Sequence, residues 1–283
     1  MIVVDRKNKK ETEYESSGLV KFLYNNLIGR IVLKLLSNKV FANLGACFMN
    51  SSLSKFMMNK KIKEYDIDMS LFEDRKYKCY NDFFTRKLKK IDFDNNKNSF
   101  ISPCDSKLMI LKLNDNTLFN IKGSTYSFKE IINDEIADMF TNGYVLIFRL
   151  DVNDYHHYCY IDNGTRSDFK YIKGELHTVQ PIAYDKVKVF HRNSREWCLL
   201  HTDNFDDVVM VEVGALLVGK INNNKDIQDF HKGEEKGYFS FGGSTIILFV
   251  KEDVVNFDED ILNNSKLGKE TIVRCGEKIG KKK

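Results

Sequence analysis

Near its C-terminal end the chain reads KGEEKGYFSFGGSTIILFV, from Lys232 to Val250. Gly242 and Gly243 precede Ser244, and a strongly apolar run follows. Two glycines permit backbone geometry closed to other residues. A serine hydroxyl beside a strained Gly-Ser bond can attack the carbonyl before it, which is the chemistry of a chain that cuts itself. For a bare GGST the commoner outcome is a tight turn entering a buried strand. A G-x-S-x-G nucleophile elbow does not fit, because Ile246 stands two residues after Ser244. His191, His201 and His231 have no partner at metal-ligand spacing and read as surface or structural residues. Cys47, Cys79, Cys104, Cys159, Cys198 and Cys275 form no CxxC pair, so they read as reduced thiols.

The elements that must position this chemistry differ along the chain. Residues 1–17 are polar and charge-balanced, and read as a loose terminus. Residues 18–95 read as a helical, basic, membrane-associating region. Leu19, Leu23, Leu27, Ile28, Ile31, Leu35 and Leu36 recur there at roughly helical spacing. Asp92 to Ser99 (DFDNNKNS) is the linker candidate. Residues 96–283 read as a β-rich domain, with strands at Tyr144–Leu150, Val208–Val213 and Thr245–Val250. One helix is expected near Ser127 to Phe140, with Ser127 as its N-cap and Glu130 three residues on. The fold class is therefore α+β: a helical, membrane-facing front and a mainly antiparallel, catalytic β body.

Composition sharpens the role of the front. The 283 residues carry a formal net charge of +4. Gly18 to Lys63 holds eight Lys/Arg and no Asp or Glu, leaving −4 for the rest. Such a split points to an anionic surface. A helix with an apolar stripe and a Lys/Arg face can lie in a membrane interface, where each basic residue contributes on the order of 1 kcal/mol. Two plainer readings compete: the stripe is a core face, or the charges are a solvated surface. Nucleic acid is not expected, because no base-reading module accompanies the charge. No run of about 18 uncharged apolar residues exists, so a membrane span is excluded. Without a signal-peptide pattern at its start, the protein is expected in the cytoplasm, peripheral to the inner face of the cell membrane.

The GGST segment has company. FFTRKL (Phe83 to Leu88), SPCD (Ser102 to Asp105), DYHH (Asp154 to His157) and VGALLVGK (Val213 to Lys220) precede KGEEKGYFSFGGST. SKLG (Ser265 to Gly268) and GEKIG (Gly276 to Gly280) follow it. In this order and at these separations they resemble the phosphatidylserine decarboxylase family, from about Asn81 to Lys283. The resemblance implies a proenzyme that cuts itself between Gly243 and Ser244. The Ser244 hydroxyl would attack the Gly243 carbonyl to give an ester. β-Elimination would then leave a β chain, Met1 to Gly243, and an α chain, Ser244 to Lys283, that begins with a pyruvoyl group. The two chains must stay associated, since 40 residues can hardly bury a core alone. The pyruvoyl carbonyl would form a Schiff base with phosphatidylserine and act as the electron sink, with no metal and no pyridoxal phosphate. The products would be carbon dioxide and phosphatidylethanolamine. An anionic membrane surface would be the partner, and the family leaves room for a homodimer.

The resemblance also implies roles. Asp105 matches the acidic member of the self-cleaving group, and His156 matches a His tied to substrate handling. Taken alone, Asp105 would read as a turn residue after Pro103 and His156 as a satisfied strand histidine. His177 lies in KGELHTVQP, a segment that fits the family and would on that resemblance line the substrate pocket; a loop or strand-end histidine is the equal alternative. The family usually reads DYHR, then one residue, then a second His taken as the proteolytic base. Here DYHHYC puts Cys159 in that position and His157 where Arg is usual. SP-x-DG becomes SPCDS, with Ser106 for Gly. An unperturbed thiol titrates about two units above an imidazole, so Cys159 is no simple substitute. Three options stand open: His156 or His157 acts as base, Cys159 does so with a lowered pKa, or maturation is slow or lost. A catalytically silent lipid-binding homologue, or a pyruvoyl decarboxylase of another amino acid head group, are the alternatives. Neighbouring strand residues face opposite ways, so His156 and His157 should not share one site.

Overall fold

The computed structural model describes residues 1–36, 39–184, 186–215, 220–240 and 244–283. Gly242 and Gly243 therefore lie outside the described residues, as does the stretch 216–219 of VGALLVGK.

The β-branched and aromatic runs form strands because such residues fill a pleated, buried surface. Ser244–Val250 pairs antiparallel with Tyr144–Leu150 on one side, Ser244 opposite Leu150 and Val250 opposite Tyr144. Asp206–Val213 flanks it on the other side. The main sheet continues outward through Arg195–Thr202 and Gly164–Arg166 at one end. At the other it runs through Ser106–Lys112, Glu270–Val273, Ile2–Asp5 and Lys10–Glu13. The pairing is antiparallel except between Ile2–Asp5 and Glu270–Val273.

The centre of the sheet is buried on both faces, which is why YVLIFRL and STIILFV show no polar alternation. Leu146, Phe148, Ile246 and Leu248 belong to one core, with Tyr158, Cys159 and Phe239 from a small sheet. That sheet pairs Ile221–Asn223, Glu235–Phe239 and His157–Cys159. Val145, Ile147, Ile247 and Phe249 belong to a second core, with Leu23, Tyr24 and Leu33 from the helical front.

The front comprises α1 (Gly18–Asn25), α2 (Leu27–Leu36), α3 (Lys39–Asn50), α4 (Phe56–Glu64) and α5 (Tyr80–Phe84). The Ser17 side chain accepts from Val20 N and starts α1. Asn26 ends α1, and its side chain accepts from Ile28 N at 2.9 Å to open α2. Leu23 and Leu33 are buried, whereas Leu19, Leu27, Ile28, Ile31 and Leu35 are exposed. The apolar stripe is thus core on one side and bare on the other.

Two expectations need correction. The first residues are not loose: Val3 and Val4 are buried, and Ile2–Asp5 pairs with Glu270–Val273. Arg6 then bridges Asp258, Asp260 and Glu277. The physical cause is the apolar triplet Ile2-Val3-Val4, which the charges around it obscured. The helix expected over 127–140 is two pieces. Ser127 does cap Phe128–Ile132, accepting from Glu130 N. Asn133 then turns left-handed at φ 51°, and a 3-10 turn covers Glu135–Phe140.

Candidate active site

Ser244 opens its strand and is 1% exposed. Its Oγ lies 3.3 Å from Nδ1 of His156, which is fully buried. The other ring nitrogen, Nε2, stands 3.0 Å from the Asp151 carbonyl. A carbonyl only accepts, so Nε2 carries the proton and Nδ1 presents a lone pair to the serine hydroxyl. Burial, with the nearby Arg86 guanidinium second, holds the His156 pKa well below 6.5. The ring is neutral at neutral pH, in the tautomer a base for Ser244 requires.

The turn after Tyr144–Leu150 fixes that ring. The Asp151 carbonyl also accepts from Asp154 N at 3.0 Å, and Asp151 N donates to Asp154 Oδ2 at 2.7 Å. Lys107 clamps the turn from below, 2.6 Å from Asp154 Oδ2 and 3.1 Å from Asp151 Oδ2. Arg149 bonds Asp151 and Glu270, and Tyr14 donates to Asp151 Oδ1 at 3.2 Å. From α5, Phe84 stacks on the His156 ring with centroids 3.9 Å apart. Arg86, 1% exposed, donates from Nη2 to the Asn153 carbonyl at 3.0 Å. Its guanidinium also covers the rings of Phe72 and Phe83.

His157 faces elsewhere. Its ring stacks between Tyr155 and Tyr238. Nε2 donates to the Thr85 carbonyl at 3.2 Å, and Nδ1 lies 3.2 Å from Glu235 Oε1 without hydrogen-bond alignment. Cys159 is paired with Cys275, the sulfurs 3.7 Å apart. Cys275 in turn donates to the Pro103 carbonyl at 3.4 Å, and its contact with Cys159 and its burial push its thiol pKa up. Asp105 accepts from Cys275 N at 2.8 Å and from Arg274 at 3.1 Å, while burial raises its pKa against those donors. The structure thus joins Ser244 to His156. It puts Asp105 and Cys159 around Cys275, and His157 between two tyrosines. Ser106 opens a strand and is not left-handed, so its Cβ is tolerated. Among the described residues no group of three His, Cys, Asp or Glu could hold a metal.

A buried charge pair joins the strands Glu235–Phe239 and Asp206–Val213. Lys236 and Glu212, both fully buried, lie 2.6 Å apart. Asn223 ties them together, donating to Glu212 Oε2 at 3.0 Å and accepting from Lys236 at 3.2 Å and from Tyr158 Oη at 3.0 Å. Glu212 sits opposite Ile246, two residues past Ser244, and Lys236 sits in the strand that leads toward it. Gly237 is required there, because a Cβ would meet the Asn222 carbonyl at 2.5 Å.

Sequence reasoning missed Asp151, Cys275, Lys107 and the packing partners Phe84 and Arg86. The last two stand in FFTRKL, a motif that by itself gives them no role. Asp151 acts through its carbonyl, which no side-chain pattern reveals.

A buried serine held against a neutral imidazole, at the mouth of a strand in an α+β body, defines a hydroxyl-activating site of the kind a self-processing enzyme uses. The family model for phosphatidylserine decarboxylase matches residues 80–281. The chain is 48% identical to phosphatidylserine decarboxylase proenzyme 2 of Clostridium acetobutylicum, across 99% of this chain and 98% of that one. It is 42% identical to the phosphatidylserine decarboxylase proenzyme of Clostridium botulinum, across 100% of both chains, and 40% identical to that of Clostridium tetani, across 97% of both. The chain belongs to the phosphatidylserine decarboxylase family, a family of carboxy-lyases made as proenzymes.

Proposed function

We propose that this proenzyme matures by its own Ser244, with His156 as the base, and then decarboxylates phosphatidylserine at a membrane surface. The observation that carries the reading is the 3.3 Å approach of Ser244 Oγ to His156 Nδ1, with Nε2 engaged by the Asp151 carbonyl. The Ser244 proton passes to Nδ1 as Oγ attacks the carbonyl carbon of residue 243. The peptide C–N bond breaks, its nitrogen takes the proton from His156, and an ester remains. Loss of the Ser244 Hα then expels residue 243 as a carboxylate. Hydrolysis of the resulting enamine releases ammonia and leaves a pyruvoyl group at residue 244. That group supplies the electron sink for decarboxylation. Buried Ser244 beside a neutral His156 fits its formation.

Cys159 is a poor candidate for the base, since its sulfur is engaged with Cys275. Asp105 is supported as a support for the Cys275 segment rather than a partner of His156. The bare apolar stripe of α1 and α2, together with the acid-free basic stretch from Gly18 to Lys63, supports a peripheral position on the cytoplasmic face of the membrane. No helix among the described residues is long and apolar enough to cross a membrane.

Intact mass of the purified protein tests the reading. Two fragments, the smaller starting at residue 244 with a blocked N-terminus, support it. A chain that stays at its full 283 residues under conditions where the Clostridium acetobutylicum relative is cut overturns it.

A further inference from the structure

Where α1 and α2 meet the β body, a pocket of about 310 Å³ is lined by Tyr24, Arg30, Leu33, Lys186 and Val187. Its two cations converge on one acceptor. Lys186 Nζ stands 3.4 Å from the Tyr24 carbonyl, and Arg30 Nε stands 3.5 Å from the same oxygen. Lys186 also bonds the Asn25 side chain. Asn25 and the carbonyl are both neutral. Among the described residues no carboxylate forms an ion pair with Arg30 or Lys186, so two like charges face one cavity without a described ion-pair partner. Such a pair is stabilised by an anion placed between them, a phosphate most of all.

The pocket is built in advance. Tyr24 is 2% exposed, and its hydroxyl accepts from Thr178 N at 3.0 Å and lies 3.4 Å from His177 Nδ1. This pins α1 to the body. α1 and α2 cross so tightly that a Cβ on Gly29 would lie 2.1 Å from the Phe22 carbonyl. Leu33 and Val187 supply an apolar wall beside the cations. Leu27, Ile28, Ile31 and Leu35 project from the same helix into solvent. A ligand here meets positive charge and hydrocarbon together.

We infer that this pocket binds the phosphodiester of an anionic phospholipid, the glycerol end lying against Leu33 and Val187. The inference rests on the membrane reading proposed above and adds a specific head-group site to it. The chain would then be seated by one lipid in a fixed orientation, where diffuse charge alone would leave it free to rotate.

The test uses dihexanoyl phosphatidylglycerol as a dispersed monomer, titrated into the full protein by calorimetry. This lipid has no amine and cannot be decarboxylated. The expected result is saturable binding of one lipid per chain, weakened roughly tenfold or more in Arg30→Gln/Lys186→Gln and retained in Arg30→Lys. Inorganic phosphate should bind far more weakly, since it lacks the glycerol and acyl carbons. Absence of saturable binding, or binding unchanged in the double variant, overturns the inference. Equal affinity for inorganic phosphate overturns the lipid assignment. Self-cleavage and turnover of phosphatidylserine in detergent, followed in the same preparations, report on the enzyme reading separately, and both variants should mature normally.

Discussion

Ser244 Oγ and His156 Nδ1 stand 3.3 Å apart although 88 residues separate them in the chain. The contact exists because the strand opening at Ser244 lies beside the one ending at Leu150, and the tight turn after Leu150 throws His156 back over it. A base held by a carbonyl, a stacked ring and a clamped turn has little freedom, so its chemistry is easily tested.

Removal of the hydroxyl should stop maturation. Ser244→Ala should remain one chain by intact mass and show no decarboxylation. Persistent turnover in that variant would refute the mechanism.

Removal of the imidazole should slow cleavage by about 10²-fold or more, the usual worth of a general base. His156→Gln, followed by gel densitometry, measures it. Cys159→Ser should mature at nearly the parent rate, because that sulfur faces Cys275. The reverse outcome, a fast His156→Gln and a slow Cys159→Ser, would move the base to position 159.

Cleavage should survive mild acid. With its pKa held well below 6.5 by burial and by Arg86, His156 stays a free base as the pH falls past the usual histidine range. Arg86→Met should move the acidic limb of the cleavage rate upward; an unmoved limb would show that another group titrates. Stability has a related sign. The unfolded imidazole gains a proton near pH 6.5 while the folded one does not, so His156 lowers stability as pH drops below about 6.5.

The buried pair should behave as a unit. In a Ser244→Ala background, which stays a single chain, Lys236→Met alone leaves Glu212 buried and unpaired and should cost about 3–5 kcal/mol by urea titration. Adding Glu212→Leu should recover part of that loss. Additive losses would show that the two side chains act independently.

Membrane contact should have two separable parts. Leu27→Ser or Ile31→Ser should each weaken vesicle sedimentation by roughly tenfold, given about 1.5–3 kcal/mol per buried aliphatic side chain. Raising salt to 1 M should remove the electrostatic part, since screening shortens to about 3 Å. Binding indifferent to both changes would place the interface elsewhere.

Much of this was legible in the residues themselves. Tyr144–Leu150 was delimited from its β-branched and aromatic content alone, and its strand has those bounds. Ser244, His156, Asp105 and Cys159 could be named from motifs. Which of them meet could not, because pairing is set by register between strands far apart in sequence. The Asp151 carbonyl has no side-chain signature, and the partnership of Cys159 with Cys275 joins two residues that spacing does not link. The N-terminal strand was lost because three apolar residues among charges are too few for a periodicity argument.

The seven residues Ser244–Val250 lie in the interior of the main sheet, a strand on either side and every side chain buried. Five of them are large hydrophobics, and together they hold about 10 kcal/mol of burial. On the proposed cut, this strand becomes the first segment of a separate 40-residue chain. Folding must therefore come before cutting, and the mature enzyme keeps a shape that its two pieces inherit from a chain no longer present. Such a molecule has a history: denatured once, its halves diffuse apart, and what was a unimolecular search becomes a bimolecular one. The proenzyme can be unfolded and recovered, whereas the mature form should lose activity for good, and more completely the more dilute it is.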